Sequence, residues 1–587
     1  MEVKRLFDIP YYQLENFPKE DSLSGKVNGK WVKTSTKSFI DQALMVSKAL
    51  VEAGIEPNDK VGIISNNRPE WNIVDIGIQM CGGISVPIYP TISSKDYEYI
   101  FNDASVKICF LGSKDLLEKV NEVKANAKSL GLIVSFEKID GIEYFSEFKA
   151  RGKKTTTEEI ENRKSAIKGD QLATLIYTSG TTGNPKGVML SHDNIVSNVI
   201  GSRERIPCDE NARAVSFLPL CHVYERMVLY LFMYTGVSVY YAESMETIGD
   251  NIREVQPQVF TAVPRLLEKV FDRIMAKGSE LTGLKSSLFF WAVGLAEKWE
   301  PYGENGAWYE FQLSIANKLI FNKWREALGG KVEVIASGSA ALQPRLASIF
   351  CAAKIPILEG YGLTETSPVA SVNSFVNKGF MLGTTGRKLH KVEIKIAEDG
   401  EILIKGPNVM MGYYNQPELT REVLSDDGWF STGDIGTLVD GQYLKITDRK
   451  KEIFKTSGGK YVAPQPMENT YKSSRFIDQI MVVGENQKHP AALIVPDLAF
   501  CKDWCIRKGL KCETQADLSA NETLKERIWK EIDEMNVNYG KFEQVKKIEL
   551  CEAAWTIVTG ELTPSLKLKR KFILSKYEQL MTKIYAS

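Results

Sequence analysis

"YTSGTTGNPKG", residues 177–187, sets three glycines, four Ser/Thr hydroxyls and one lysine in a run with almost no apolar content. It follows the apolar run "LATLIY" (172–177) and precedes "SHDNIVSNVI", where Ser191 is placed to cap a helix. A glycine-rich turn between strand and helix presents backbone N–H groups, the hydroxyls add donors, and Lys186 adds a mobile positive charge. Such a set suits phosphate oxygens. The nucleotide P-loop, GxxxxGK followed by Ser or Thr, does not fit. Counted from Gly180 the chain has Pro185 where glycine is required and Gly187 where the metal-binding hydroxyl belongs.

Outward from this loop, short β-branched runs alternate with helical patterns. "VGIIS" (61–65), "VKICFLG" (106–112), "AVSFLP" (214–219), "VSVYYA" (237–242), "VFTAVP" (259–264) and "VEVIAS" (332–337) read as buried strands. The rhythm predicts layered α/β sheets, largely parallel. Residues 265 to about 330 read as helical throughout. From Gly383 the style becomes β-rich, and "VEIKIAEDGEILIKG" (392–406) predicts a hairpin around its "DG" turn. We place a boundary near Asp448: a large N-terminal domain over 1–447, and a small mobile α+β domain over 448–587.

The length, 587 residues, calls for at least two domains. Lys plus Arg and Asp plus Glu number 74 each, so charge gives no argument for nucleic acid. The nine cysteines are scattered singly apart from "CKDWC" (501–505), which has no matching second pair; buried free thiols are expected. "MEVKRLFDIPYY" lacks the apolar core of a secretory signal. The longest charge-free run, 227–242, is shorter than a membrane span and reads as a buried helix, a glycine turn and a strand. A cytoplasmic protein is expected, with peripheral membrane contact left open.

The loop resembles the phosphate-loop signature of the adenylate-forming superfamily, which includes acyl-CoA synthetases, luciferases and peptide adenylation domains. Four further elements then resemble that superfamily in order. "EGYGLTET" (359–366) resembles its adenine and magnesium element, "STGD" (431–434) its ribose element, "DRKKEIFKTSGGKYVAP" (448–464) its hinge, and "LTPSLKLKRK" (562–571) its C-terminal signature.

The resemblance implies ATP/AMP contacts from Thr178, Ser179, Gly180, Thr181, Thr182, Gly183, Lys186, Gly338, Ser339, Glu359, Gly360, Tyr361, Gly362, Thr364, Asp434, Arg449 and Lys567. It implies Mg²⁺ held by Thr178 and Glu365, a hinge at Lys451, and a face for coenzyme A at Lys455, Gly458 and Gly459. Lys567, Glu365, Lys186 and His222 take the catalytic positions. His222, in "LPLCHVYE", reads equally as the residue lining an acyl carboxylate and as a core histidine. Leu566 departs from the commonest form, which has glycine before the catalytic lysine.

"DGWFSTGDIGTLVDGQYLKITDRKK" (427–451) resembles the fatty acyl-CoA synthetase branch nearly throughout. The implied reaction joins a long-chain fatty acid to ATP as an acyl-adenylate, releasing pyrophosphate, then to coenzyme A, releasing AMP. A medium-chain or other acid, or an acyl-carrier protein as acceptor, is the alternative. Oligomeric state stays open.

Overall fold

The alternating apolar runs become two sheets. In this computed structural model, which describes residues 1–178, 184–563 and 566–586, one sheet has eight strands. From Leu172–Thr178 its order runs through Ile84–Ile88, Lys60–Ile64, Val106–Leu111 and Leu132–Ser135 to Glu143–Tyr144, all parallel. On the other side of Leu172–Thr178, the Lys186–Ser191 and Gly412–Tyr413 strands continue it antiparallel. The second sheet has a parallel run of Leu23–Val27, Ser238–Tyr241, Arg213–Ser216, Val259–Ala262, Val334–Ser337 and Ile357–Gly362. Lys30–Thr34 borders one end, and Val369–Val372 and Arg387–Lys388 the other, antiparallel.

The strands named so far belong to the first of two compact units, formed by Met1–Lys395, Leu403–Ser431 and Asp440–Leu444. The second holds Ile396–Ile402, Thr432–Val439 and the chain from Lys445 onward. Its own core is an α+β arrangement. The Ala491–Pro496 strand sits between antiparallel Ile477–Val483 and parallel Ile548–Leu550, with the Pro464–Tyr471 and Glu522–Asn536 helices packed against this sheet. The mixed α/β architecture with a separate C-terminal domain is the one expected from the sequence.

The 265–330 segment is helical but broken. Helices Pro264–Ser279, Gly283–Ala296 and Ala307–Ala316 are separated at Thr282 and around Tyr302, Gly303 and Gly306, whose φ values are positive. All nine cysteines are buried and free. Among the described residues no helix is long and apolar enough to cross a membrane.

Two helices of the first unit are buried along most of their length. Val223–Thr235 carries the apolar block "MVLYLFM" and contributes to the main core, as does Pro69–Met80 with Trp71, Ile73, Val74 and Ile76. A helix apolar on every side belongs inside. Yet each also carries a charge. Arg226, 1% exposed, donates to Asp75, 0% exposed, through Nε at 3.1 Å and Nη2 at 2.6 Å. Two further N–H groups reach Thr174 Oγ1 at 2.7 Å and Ser85 Oγ at 2.8 Å, and the Tyr230 hydroxyl also donates to Asp75. One guanidinium thus joins both helices to two strands of the eight-stranded sheet.

Removing one partner strands a buried charge. Asp75→Ala should lower unfolding free energy by about 3–5 kcal/mol, while the apolar double replacement Asp75→Leu/Arg226→Met should lose much less. Urea unfolding of both variants measures the difference.

Candidate active site

The glycine-rich loop joins two strands rather than a strand and a helix. Lys186–Ser191 pairs antiparallel with Leu172–Thr178, in register Thr178↔Lys186 and Tyr177↔Gly187, and the helix starts only at His192. Ser191 does cap it, accepting from the Asn194 N–H in a reciprocal capping box. "GVML" is apolar enough to form a strand, which turns the stretch into a hairpin whose base clamps Thr178 opposite Lys186. Ser179, Gly180, Thr181, Thr182 and Gly183 lie outside the described residues. Gly187 has a packing reason: a Cβ there would stand 3.1 Å from the Tyr177 ring across the hairpin.

The second element forms the end of the Ile357–Gly362 strand and a turn of 3₁₀ helix over Thr364–Thr366. Gly362 is obligatory, because a Cβ would fall 1.7 Å from the Pro368 carbonyl oxygen. Tyr361 is half-buried beside Gly360, and Thr364 is buried. Glu359 is buried too, and burial raises its carboxyl to about 7, against the lowering effect of the Leu342 N–H that donates to Oε1 at 3.0 Å.

The sequence reading passed over Tyr413. Its short strand pairs with Lys186–Ser191, so its ring lies under Lys186 with Nζ 5.2 Å from the centroid. Its hydroxyl donates to Glu365 Oε1 at 2.8 Å. Burial and the adjacent Glu365 carboxylate push this phenol well up, so it stays a donor. The Met410 N–H donates to the Glu365 carbonyl and the Tyr414 N–H to the Gly187 carbonyl, locking the segment to both elements. "MMGYYNQP" (410–417) carried no charge or spacing signal; only its tyrosines hinted at a polar role.

Gly338 and Ser339 follow the Val334–Ser337 strand; Ser339 has φ 71°, and the Tyr224 ring sits 3.3 Å from where a Gly338 Cβ would be. His222 caps the Val223–Thr235 helix: its Nδ1 accepts from the Tyr224 N–H at 3.1 Å, so the neutral ring carries its proton on Nε2. Thr178, Ser339 and the Tyr361–Thr364 segment all lie at the carboxyl ends of parallel strands, where open α/β sheets bind ligands.

In the second unit, Arg449 Nε and buried Asp434 Oδ1 form an ion pair at 3.0 Å, bringing the two expected ribose contacts together. Lys450 is held by Asp399 at 2.6 Å and Glu401 at 2.7 Å, while Lys451 is exposed in the tight turn that follows. Lys455 pairs with Tyr461 across a hairpin whose exposed tip holds Gly458 and Gly459, the latter with φ 78°. Lys567 is exposed in a loop closed by the Leu562↔Leu568 bridge; its N–H donates to Thr563 Oγ1 at 3.0 Å. Leu566, where the commonest form has glycine, sits at φ 61°.

The first unit therefore gathers Thr178, Lys186, Tyr413 and Glu365, and the second gathers Asp434 with Arg449. Glu365 Oε1 is engaged by Tyr413, and no hydrogen bond among the described residues occupies Oε2. One carboxylate oxygen with a threonine hydroxyl fits Mg²⁺, which keeps waters and phosphate oxygens for most of its shell.

The family described as "AMP-binding enzyme" matches residues 12–414, and its C-terminal domain matches 451–587. The long-chain-fatty-acid–CoA ligase FadD15 of Mycobacterium bovis is 31% identical over 565 residues, covering 95% of this chain and 93% of that one. Human long-chain-fatty-acid–CoA ligase 1 is 31% identical, covering 94% and 82%. Among solved structures, the adenylation domain of a Mycobacterium chelonae carboxylate reductase superposes with TM-score 0.78 at 21% identity, over 99% of this chain and 91% of that one; this likeness concerns the fold.

If Tyr413 orients Glu365, Tyr413→Phe should weaken Mg²⁺-dependent ATP binding about tenfold, read by calorimetric titration at varied Mg²⁺. Binding of metal-free ATP should change little. Because Leu566 occupies the left-handed region, Leu566→Gly should stabilise the second unit by up to about 1 kcal/mol in denaturant unfolding, and Leu566→Ile should destabilise it.

Proposed function

This chain belongs to the AMP-binding enzyme family, and on that footing we propose that it activates a long-chain fatty acid with ATP and transfers the acyl group to coenzyme A. The observation that carries this reading is the convergence of Lys186 and Glu365 on Tyr413 at the base of the glycine-rich hairpin. The substrate class follows from relatives named as long-chain-fatty-acid–CoA ligases that align along nearly the whole chain.

In the first half-reaction a carboxylate oxygen of the fatty acid attacks the α-phosphorus. The bond to the β-phosphate oxygen breaks and pyrophosphate leaves. Two anions have to meet, so cationic groups must offset their repulsion as charge grows on the phosphoryl oxygens. Lys186 and Lys567 serve this purpose, with hydroxyls 179, 181 and 182 on the outer phosphates. A bound Mg²⁺, held by Glu365 and Thr178, would add positive charge shared among the phosphate oxygens. Tyr361 stacks on adenine beside the Gly338–Ser339 and Glu359–Gly362 backbones, Thr364 donates to the α-phosphate, and Asp434 with Arg449 holds the ribose. His222, with its proton on Nε2, orients the acyl carboxylate.

In the second half-reaction the coenzyme A sulfur attacks the acyl carbon, the thiol proton is lost, and AMP departs. Lys567 then gives way to the hairpin carrying Lys455, Gly458 and Gly459, with Lys451 as the pivot between the 1–447 and 448–587 domains. The reaction is placed in the cytoplasm, with peripheral contact to membranes that hold the fatty acid.

Fatty-acid-dependent ATP–pyrophosphate exchange tests the reading. Across acids from acetate to oleate, exchange should favour long chains, and coenzyme A should accept the acyl group in preference to carrier protein. Lys567→Ala should slow exchange about a hundred- to a thousandfold. Lys451→Pro should retain exchange and lose thioester formation. Wild-type protein without exchange on any fatty acid would overturn the enzyme reading; equal loss of both steps in Lys451→Pro would remove the pivot.

A further inference from the structure

Lys567 stands on a short turn fastened by its own backbone. The Thr563 N–H donates to the Lys567 carbonyl at 2.8 Å, and the Lys569 N–H donates to the carbonyl of buried Glu561 at 2.7 Å. Leu568 packs against a core that holds Met481, Val483 and Leu493, while its neighbour Lys567 is exposed. The backbone bonds give the turn its shape. Apolar packing holds it on the sheet without fixing its place along the sheet.

Arg570, three residues after Lys567, adds a directed contact. Its side chain, 17% exposed, donates through Nη1 to Glu468 Oε1 at 2.7 Å and through Nη2 to the Val482 carbonyl. The same Glu468 oxygen, on a side chain 6% exposed, accepts from the Val482 N–H at 2.7 Å. One guanidinium and one carboxylate therefore clamp the start of the Arg570–Lys576 helix to the Ile477–Val483 strand and to the Pro464–Tyr471 helix. Asp448 and Glu452 add negative charge around the same guanidinium, and no hydrogen bond among the described residues reaches Oδ2 of buried Asp448. Were Arg570 to turn away, Glu468 and Asp448 would be left buried without it, which is costly.

We propose that Arg570 is a positioning residue for the adenylate-forming half-reaction: through Glu468 and the Val482 carbonyl it sets where Lys567 stands, without touching substrate itself. This rests on the reading of Lys567 as the lysine of that step. A cation has to meet the phosphoryl oxygens within a fraction of an ångström, and a misplacement of about 1 Å can cost on the order of a hundredfold in rate. The hairpin carrying Lys455, Gly458 and Gly459 is held differently. Phe454 pairs with Val462, and the Thr456 N–H donates to the Lys460 carbonyl at 2.9 Å. Loosening Arg570 should therefore harm the first half-reaction and spare the second.

The test takes the two half-reactions apart in the full chain. Arg570→Lys keeps a positive charge beside Glu468 but lacks the fork that also reaches the Val482 carbonyl. It should lower the turnover of oleate-dependent ATP–pyrophosphate exchange about ten- to a hundredfold, with KM for ATP and oleate within about threefold of wild type. Thioester formation from added oleoyl-adenylate and coenzyme A, in which the sulfur attacks the acyl carbon and AMP leaves, should stay within about twofold. Because Arg570 acts through Lys567, Lys567→Ala/Arg570→Lys should be no slower in exchange than Lys567→Ala alone. Tryptic cleavage after Lys567, identified by mass spectrometry, should run about tenfold faster in Arg570→Lys, since an unclamped turn opens more readily. Unchanged exchange, equal loss of both half-reactions, losses that multiply in the double variant, or unchanged cleavage after Lys567 would each overturn the proposal. Wild-type protein without exchange on any acid, together with faster cleavage in Arg570→Lys, would count against the fatty-acid reading alone.

Discussion

A buried guanidinium holds the large unit in register. Arg226 cannot shed its proton, and moving it out of water costs several kcal/mol unless every donor finds a partner. Asp75, Thr174 and Ser85 take four of its five N–H groups, from one helix and two strands. The geometry this demands reaches the candidate site by short paths. Thr174 lies four residues before Thr178, at the base of the glycine-rich hairpin, and Arg226 lies four residues after His222, the cap of its own helix. A shift of either element would leave a charge unpaired, so the base of the glycine-rich hairpin and the histidine keep a fixed separation. Apolar packing alone tolerates sliding; a fork of directed hydrogen bonds does not.

A second constraint acts closer to the chemistry. Lys186 and Glu365 carry opposite charge, yet both are engaged by one tyrosine. Tyr413 separates them: its ring takes the ammonium and its hydroxyl takes one carboxylate oxygen. No hydrogen bond among the described residues occupies the remaining oxygen. Pairing of Gly412–Tyr413 with Lys186–Ser191 makes this arrangement a property of the sheet rather than of rotamers.

Much of this was legible in the sequence, for reasons that also explain the rest. Runs such as "VGIIS", "VKICFLG" and "VFTAVP" are apolar on both faces because parallel strands are covered on both faces, and each became a strand. Ser191 became a helix cap because its side chain has one strong use at that position. The Lys186–Ser191 strand was hidden because its pairing partner lies across a glycine-rich loop that reads as a single unit with the lysine. Ile84–Ile88 was hidden by Pro87, which argues against a central strand; the described ladder to Leu172–Thr178 is confined to Ser85↔Thr174. Nothing local distinguishes Arg226 from any surface arginine, and nothing marks Asp75 as its partner 151 residues away. Long-range polar pairing leaves no periodicity to read.

The motif residues themselves divide into two kinds. Gly362 is required because a Cβ would fall on the Pro368 carbonyl, Gly187 packs closely against the Tyr177 ring, and Trp429, central to the fatty acyl-CoA synthetase resemblance, is stacked under Lys395 at 3.9 Å and Lys405 at 5.9 Å. These residues serve the backbone and the turn. Lys186 and Glu365 in the first unit, and Asp434 with Arg449 in the second, carry charge instead. A signature stays recognisable because packing constrains the first kind as tightly as chemistry constrains the second. That is why "DGWF" can mark a branch of the family through its packing.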